Sequence, residues 1–320
     1  MTRMTYAADL GAIRAAATRL DGVAHRTPVA TCATLDRLAG RRLFFKCEHL
    51  QRVGAFKFRG AWNVVAQLTD AVAARGIVTH SSGNHAQAVA LAAKLRGSAA
   101  HIVMPSNASA VKRRAVEGYG GRVTTCAPTL AARESAAAAL LAETGGTLIP
   151  PYDHPDIIAG QGTAALELLE QVPALDAIVV PVGGGGLLSG TCIAAKALQP
   201  VIRLYAAEPA GADDTARSMA AGTLIPQTAP DSIADGLLTS LGALTWPIIR
   251  DHVDRVLTVG DAQIVAAMRL AWERAKLLIE PSAAVALAAV LSDEFRRLDG
   301  LRRVGVMLSG GNVDLDCLPW

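Results

Sequence analysis

The stretch IVTHSSGNHAQAVALAAKL, residues 77–95, sets a short apolar run, a polar turn and a long alanine-rich segment in immediate succession. Ile77-Val78-Thr79-His80 predicts a strand, SSGNHAQ a turn, and Ala86–Leu95 a helix. The same order repeats downstream. His101-Ile102-Val103-Met104 predicts the next strand, Ser109–Tyr119 a helix and Arg122-Val123-Thr124-Thr125 a third strand, before a helix over 129–143 that ends at Gly145-Gly146. Strands alternating with helices of this length pair in parallel through right-handed crossovers, so the fold class is α/β.

Working outward, residues 7–20 predict an opening helix, with Leu10, Ile13, Ala17 and Leu20 at helical spacing, broken at Thr27-Pro28. Leu43 to Glu48 predicts a strand and residues 58–68 a helix. On the other side, a loop after Pro150-Pro151 leads to a helix over 161–171, a strand over Ala177–Val182 and a helix over 187–198. Leu204 to Glu208 is a further strand, and residues 210–260 are loop-rich with short helices. Ala262–Ala275 and Ser282–Leu291 predict helices, and Val304–Leu308 a final buried strand. The natural boundaries fall near 70 and 147. Residues 70–147 then form a small lobe inserted into a larger one made of 1–69 and 148–320. No internal repeat, low-complexity tract or long linker interrupts the chain.

Length and composition agree with this architecture. A chain of 320 residues, apolar, rich in alanine and glycine and poor in aromatics, suits an α/β enzyme in two lobes. A net charge of +3 with only short basic runs gives no nucleic-acid stripe. The five cysteines are scattered without CxxC spacing, which supports neither a disulfide framework nor a zinc site. No signal-like or membrane-length apolar run is present, so a reducing cytoplasm is the expectation.

Five stretches carry chemistry. In GAFKFRGA, residues 54–61, Lys57 lies between Phe56 and Phe58 with Arg59 close by. Poor solvation and a neighbouring like charge both favour the neutral amine, the form a Schiff-base nucleophile needs. Read alone, these eight residues also suit a surface lysine. Gly183-Gly184-Gly185-Gly186 joins a strand to a helix, where backbone N–H groups and the helix N-terminus converge on an anion. The spacing matches no dinucleotide or nucleotide-triphosphate loop, which leaves a single small phosphate ester. Ser81-Ser82-Gly83-Asn84-His85 offers hydroxyls, an amide and backbone donors suited to a carboxylate, or equally an ordinary helix cap. Ser309-Gly310-Gly311-Asn312 closes the last strand, where Ser309 can present a hydroxyl to a ring nitrogen. Glu208, Asp213 and Asp214 cluster just past a strand; such a set suits a hard cation, and taken alone reads as a solvated acidic turn. A lysine, a cradle for one phosphate and a pyridine partner together point to pyridoxal phosphate.

Across almost its whole length the chain resembles the fold-type II pyridoxal-phosphate enzymes of the serine/threonine dehydratase and serine racemase group. The carrying segments are KCEHLQRVGAFKFRGA, HSSGNHAQAVALAAKL, IAGQGTAALELLEQVP, PVGGGGLLSG, AAEPAGADD, SIADGL, TWPIIRD, ERAKLLIEPSAAVALAAVL and LSGGNVDL. AAEPAGADD and ERAKLLIEPS resemble the branch of serine racemases and threo-3-hydroxyaspartate dehydratases. The implied fold is similar to the tryptophan synthase β subunit, two lobes each with a mainly parallel sheet flanked by helices.

The resemblance implies that Lys57 is the Schiff-base lysine and that Ser82 is the acid/base serine on the opposite face. It makes Phe56, Asn84, Gly183, Gly184, Gly185, Gly186, Gly236, Glu280 and Ser309 cofactor-binding residues. Ser81, Ser82, Asn84, His85, Arg133 and Ser240 become substrate-binding residues. Glu208, the carbonyl of Ala212, and Asp214 become the site of a divalent cation (Mg²⁺, Ca²⁺ or Mn²⁺), in place of an acidic turn. Two positions depart from the pattern: His49, where the family often has asparagine, and Ala55, where it often has serine; the latter leaves substrate choice open. The expected activity is α,β-elimination of water from serine, threonine or threo-3-hydroxyaspartate to a 2-oxo acid and ammonia, the alternative a serine or aspartate racemase using Lys57 and Ser82. A β-replacement synthase and a non-catalytic phosphate-ligand sensor are more distant readings. The family suggests a homodimer, with small amino acids and neither nucleic acid nor membrane as partners.

Overall fold

The structure is a computed structural model that describes residues 6–81, 83–108 and 110–320. Its ten strands are β1 (Val29–Ala30), β2 (Arg42–Cys47), β3 (Ile77–His80), β4 (Ala100–Pro105), β5 (Gly121–Cys126), β6 (Thr147–Leu148), β7 (Ala177–Pro181), β8 (Arg203–Pro209), β9 (Arg255–Val259) and β10 (Arg303–Leu308). They form a six-stranded sheet in the order β1-β2-β10-β7-β8-β9 and a four-stranded sheet in the order β5-β4-β3-β6. Every pairing is parallel except β1 against β2. The alternation of strand and helix thus yields the α/β architecture that it predicts.

The central strands explain why the sequence reads as unbroken apolar runs. Ile178 and Val180 of β7 face one core, built with helices Pro155–Gln171, Gly186–Leu198 and Thr245–His252. Ala177 and Val179 face the other, built with helix Pro281–Leu291. A strand covered on both faces needs no polar alternation. The four-stranded sheet is covered likewise: Ile77, Ile102 and Met104 pack with helix Asn84–Arg96, Val78 and Val103 with helix Leu130–Thr144. Phe58, Ala61, Val64 and Val65, from helix Lys57–Val65, share that first core.

Helix Pro155–Gln171 runs at the centre of the molecule. A Cβ on Gly160 would lie 2.6 Å from the Cα of Gly60, and one on Gly162 would lie 2.9 Å from the carbonyl oxygen of Gly190. Glycine lets this helix touch the lysine-bearing helix on one side and helix Gly186–Leu198 on the other. Beside it runs a buried charge network. Arg59 pairs with Glu48 at 2.7 Å and with Glu167 at 2.7 Å, and Lys46 pairs with Glu167 at 2.6 Å.

Several elements differ from expectation. The helix expected over 58–68 is Lys57–Val65, and the one expected over 161–171 begins earlier, at Pro155 behind a His154 cap. The helix expected over Ala262–Ala275 stops at Leu270 and continues as a π-helical turn, Ala271–Ala275. β9, β6 and helices Asp214–Ala221 and Thr245–His252 have no individual expectation. Among the described residues no helix is long and apolar enough to cross a membrane.

Candidate active site

The parallel register brings the C-terminal ends of β2, β10, β7 and β8 side by side, where ligands of such sheets bind. Each candidate stretch leaves one of these ends or that of β3. Beyond β2 the chain makes two 3₁₀ turns, Glu48–Leu50 and Arg52–Gly54, and enters the helix at Lys57. Val53 and Gly54 adopt left-handed conformations with φ of 58° and 70°. Only glycine fits the second position, because a Cβ on Gly54 would meet the Asn312 Oδ1 at 2.7 Å. Phe56 N donates to Ser309 O at 3.0 Å and Gly311 N to Gly54 O at 2.9 Å, which stitches the lysine loop to the SGGN turn.

Lys57 Nζ donates to Pro151 O at 2.7 Å and lies 5.2 Å from the centre of the Phe56 ring. Burial lowers its pKa to about 8. The expected push from Arg59 is absent: two residues apart on a helix, the side chains leave on different faces, and Arg59 is spent on Glu48 and Glu167. Desolvation alone depresses the lysine.

Glycines 183–186 lie between β7 and helix Gly186–Leu198, with Gly185 in a left-handed conformation, φ 88°. A Cβ on Gly183 would lie 2.9 Å from Leu237 Cα, and one on Gly184 would lie 2.3 Å from the Tyr152 ring. The result is a cradle of backbone donors at a helix N-terminus, which fits a phosphate. Thr245 Oγ1 donates to Gly184 O at 2.9 Å, and Asp153 caps helix Thr245–His252 by accepting from the N–H groups of Ala243 and Leu244.

One cavity is lined by Phe56, Lys57, Ser81, Asn84, His85, Arg133, the four glycines, Gly236, Glu280 and Ser309. These expected residues are thereby brought together. Asn84 Nδ2 donates to Glu280 Oε1 at 2.7 Å, its Oδ1 accepts from Asn312 Nδ2 at 2.9 Å, and Glu280 Oε2 accepts from Asn312 N at 3.1 Å. Burial pushes the Glu280 carboxyl up to about 7. Gly236 N donates to Ser282 Oγ at 3.0 Å. His85 is 2% exposed, with Nε2 on Ile149 O at 3.0 Å and its pKa lowered to about 3, first by burial and then by the Lys57 charge.

Ser82 lies outside the described residues; its neighbours Ser81 and Gly83 both line the cavity. Ser240 does not line it, since its Oγ accepts from Gln227 N at 2.9 Å and Thr239 faces the cavity instead. The cavity wall also includes His80, Lys112, Tyr152, Gln161, Thr239, Asp235 and Ser282, none of which is among the site residues expected from the sequence, although His80, Gln161, Asp235 and Ser282 stand within segments that carry the resemblance. Only folding brings them here.

At the end of β8, Glu208 accepts from Ala216 N at 2.7 Å and Thr215 N at 3.2 Å, and beyond the strand Asp214 accepts from Leu241 N at 2.9 Å. Burial pushes Glu208 up to about 8 and Asp214 up to about 6. The nearby Arg217 is paired with Asp213. Among the described residues no group of three or more His, Cys, Asp or Glu side chains is arranged for a metal, so a cation here would rest on two carboxylates and backbone oxygen.

Comparison with known proteins gives a consistent picture. Residues 20–310 match the family described as pyridoxal-phosphate dependent enzyme. The chain is 51% identical over 308 residues to a serine racemase of Dictyostelium discoideum, covering 96% of this chain and 95% of that protein. It is 51% identical over 295 residues to a beta-hydroxyaspartate dehydratase of Paracoccus denitrificans, covering 92% and 93%. The solved structure of maize serine racemase superposes with a TM-score of 0.96 at 51% identity, over 97% of this chain and 95% of that one. A lysine kept short of full charge and a glycine cradle suit the cofactor these proteins share by family. The chain belongs to the pyridoxal-phosphate dependent enzymes of fold type II.

Proposed function

We propose that the protein removes water from a small 3-hydroxy amino acid to give a 2-oxo acid and ammonia. The observation that carries this reading is the meeting, in one cavity, of a desolvated lysine amine, a phosphate cradle and the neutral Ser309 hydroxyl. Pyridoxal phosphate bound there supplies an electron sink that acidifies the substrate Cα–H. Lys57 is the residue that would attach it, and Gly183 to Gly186 would hold its phosphate. Ser309 would meet the pyridine nitrogen, and a hydroxyl cannot keep a ring proton there as a carboxylate would, which disfavours transamination. The N-terminus of helix Asn84–Arg96, with Ser81 and Asn84, would bind the substrate carboxylate. With its pKa brought down to about 8, Lys57 Nζ can take the Cα proton near neutral pH. The β-hydroxyl then leaves as water, and the released enamine hydrolyses to the oxo acid and ammonia.

Arg133 lines the cavity and makes no ion pair among the described residues. A second carboxylate would suit it, which supports 3-hydroxyaspartate beside serine and threonine and agrees with the Paracoccus relative. The serine racemase names of other relatives support a second reading, in which Ser82 returns the proton on the face opposite Lys57. Glu208, the Ala212 carbonyl and Asp214 are proposed to hold Mg²⁺, Ca²⁺ or Mn²⁺; the support is a pair of buried carboxylates that make no salt bridge among the described residues, the nearby Arg217 being paired with Asp213. A cytoplasmic homodimer is part of the same proposal.

The test is a substrate panel on the holoenzyme with Mg²⁺: L- and D-serine, L-threonine and the 3-hydroxyaspartate isomers, with oxo acid and chirality read together. Oxaloacetate formed much faster than pyruvate or 2-oxobutyrate, and lost in Arg133→Gln, makes the substrate hydroxyaspartate. Faster pyruvate or 2-oxobutyrate makes it serine or threonine. Inversion outrunning every elimination overturns the lyase reading in favour of the racemase.

A further inference from the structure

Val53 stands four residues before Lys57 with φ 58° and ψ 14°, a left-handed conformation that a β-branched side chain rarely takes. Such strain persists only where the surroundings over-determine it. Here the Val53 side chain is buried, and its carbonyl accepts from Asn312 Nδ2 at 2.7 Å. The same nitrogen donates to Asn84 Oδ1 at 2.9 Å. Gly54 leaves room for this contact, since a Cβ there would lie 2.7 Å from Asn312 Oδ1.

The acceptors decide which way both amides face. A carbonyl cannot donate, so the Asn312 atom on Val53 O is the nitrogen. That nitrogen meets the Asn84 oxygen, which turns the Asn84 nitrogen to Glu280 Oε1 at 2.7 Å. Glu280 alone does not fix this orientation, because a carboxyl that gains its proton near pH 7 can also donate. With Asn312 in place, a flipped Asn84 would set nitrogen against nitrogen. One N–H of the Asn84 amide is used on Glu280, and the second is left for what binds in the cavity that Asn84 lines.

We infer that Asn312 is a positioning residue with two tasks: its amide holds the strained turn that leads into Lys57, and it fixes the direction in which Asn84 presents its remaining N–H. One side chain thereby sets the lysine loop and helix Asn84–Arg96 in register. The inference rests on the proposed role of Lys57 and goes beyond it, since Asn312 is not itself part of the cavity wall.

The test follows two readouts in the full chain. One is the rate at which cofactor-free protein captures pyridoxal phosphate, read by absorbance. The other is the Asn84 side-chain amide signal in protein labelled with ¹⁵N-asparagine. Asn312→Ala should slow capture on the order of tenfold, broaden the Asn84 signal and hasten its exchange with solvent. In Val53→Gly the turn keeps its left-handed form unaided, because glycine takes positive φ freely. Adding Asn312→Ala to Val53→Gly should therefore slow capture less than about twofold, while the Asn84 signal is disturbed as in the single variant. General loosening would move both readouts together and would not be relieved at Val53. A capture rate that Asn312→Ala changes by the same factor in both backgrounds overturns the inference, as does an Asn84 signal indifferent to the loss of Asn312. If the Asn312→Ala chains do not fold, the wild type decides. Both hydrogens of its Asn312 amide are bonded and should exchange slowly, and fast exchange overturns the inference. Borohydride fixing the cofactor to a residue other than Lys57 would instead defeat the proposed function, leaving the Asn84 readout intact.

Discussion

His49 and His85 are both buried, and burial holds them neutral, with pKa values pushed down to about 4 and about 3. The departure at His49 is visible in the sequence; its loss of water is not, since that depends on Gly311 packing so close that a Cβ added there would lie 3.1 Å from the His49 Cβ. The folded pKa lies below the unfolded one, so under pH 6.5 the unfolded chain binds more protons and stability falls as pH drops. Between pH 7 and 5 each such histidine removes roughly 2 kcal/mol. His49→Asn should therefore lose about 2 kcal/mol less than the wild type over that interval, measured by urea unfolding at the two pH values. Equal losses would show that His49 titrates normally. At this scale the sequence also misjudges Lys57 in an instructive way. Its low basicity is right, but Arg59 contributes nothing, because helical geometry sends the guanidinium to Glu48 and Glu167.

Among the elements, helix Pro155–Gln171 sets the position of the lysine. Gly160→Ala should gain up to about 1 kcal/mol in helix propensity. Against that gain stands a Cβ 2.6 Å from Gly60 Cα, a backbone contact that no rotamer relieves. Overpacking of this kind costs about 1–3 kcal/mol, so the variant should be less stable. The Lys57 helix must also shift, and kcat should fall. Gly118→Ala, at the end of helix Ala110–Gly118 with nothing within 4 Å of the added methyl, is the control and should be neutral or stabilising. A Gly160→Ala enzyme as stable and active as the wild type would mean the two helices can separate freely. The same contrast explains what the sequence shows of the elements. β7 and β10 are buried on both faces and stand out as apolar runs. β9 is an edge strand that opens on exposed Arg255 and sets exposed Thr258 between buried Leu257 and Val259, and helix Thr245–His252 carries Pro247 in its first turn. Neither has a local signature strong enough to stand out from a loop-rich region.

Across the whole molecule, the cavity lies where the segment carrying β3 to β6 meets the six-stranded sheet. The sequence marks the parts of the site that need glycine, serine or lysine in a short order. Tyr152, Gln161, Thr239, Lys112 and Asp235 reach it from separate segments and carry no such mark. Lys112 and Asp235 are informative at this scale. They form the ion pair that, among the described residues, joins the 70–147 segment to the rest, and they do so at the cavity wall. Asp235 is half-exposed, so the pair should contribute no more than about 1 kcal/mol to stability. Its larger effect should be on closure over the substrate, and through charge on the buried Glu280, whose raised pKa owes its second-largest push to Asp235. Asp235→Asn should leave the unfolding midpoint nearly unchanged while raising KM several-fold. Salt screens exposed charges over about 8 Å at physiological strength, so wild-type kcat/KM should fall with added salt and that of the variant should not. The acid limb of the wild-type profile, where Glu280 gains its proton near pH 7, should move to lower pH in the variant, because removing a neighbouring anion favours the carboxylate. A variant that keeps both the salt dependence and the acid limb would show that the two lobes are held together by the Asn84 hydrogen bonds to Glu280 and Asn312 instead.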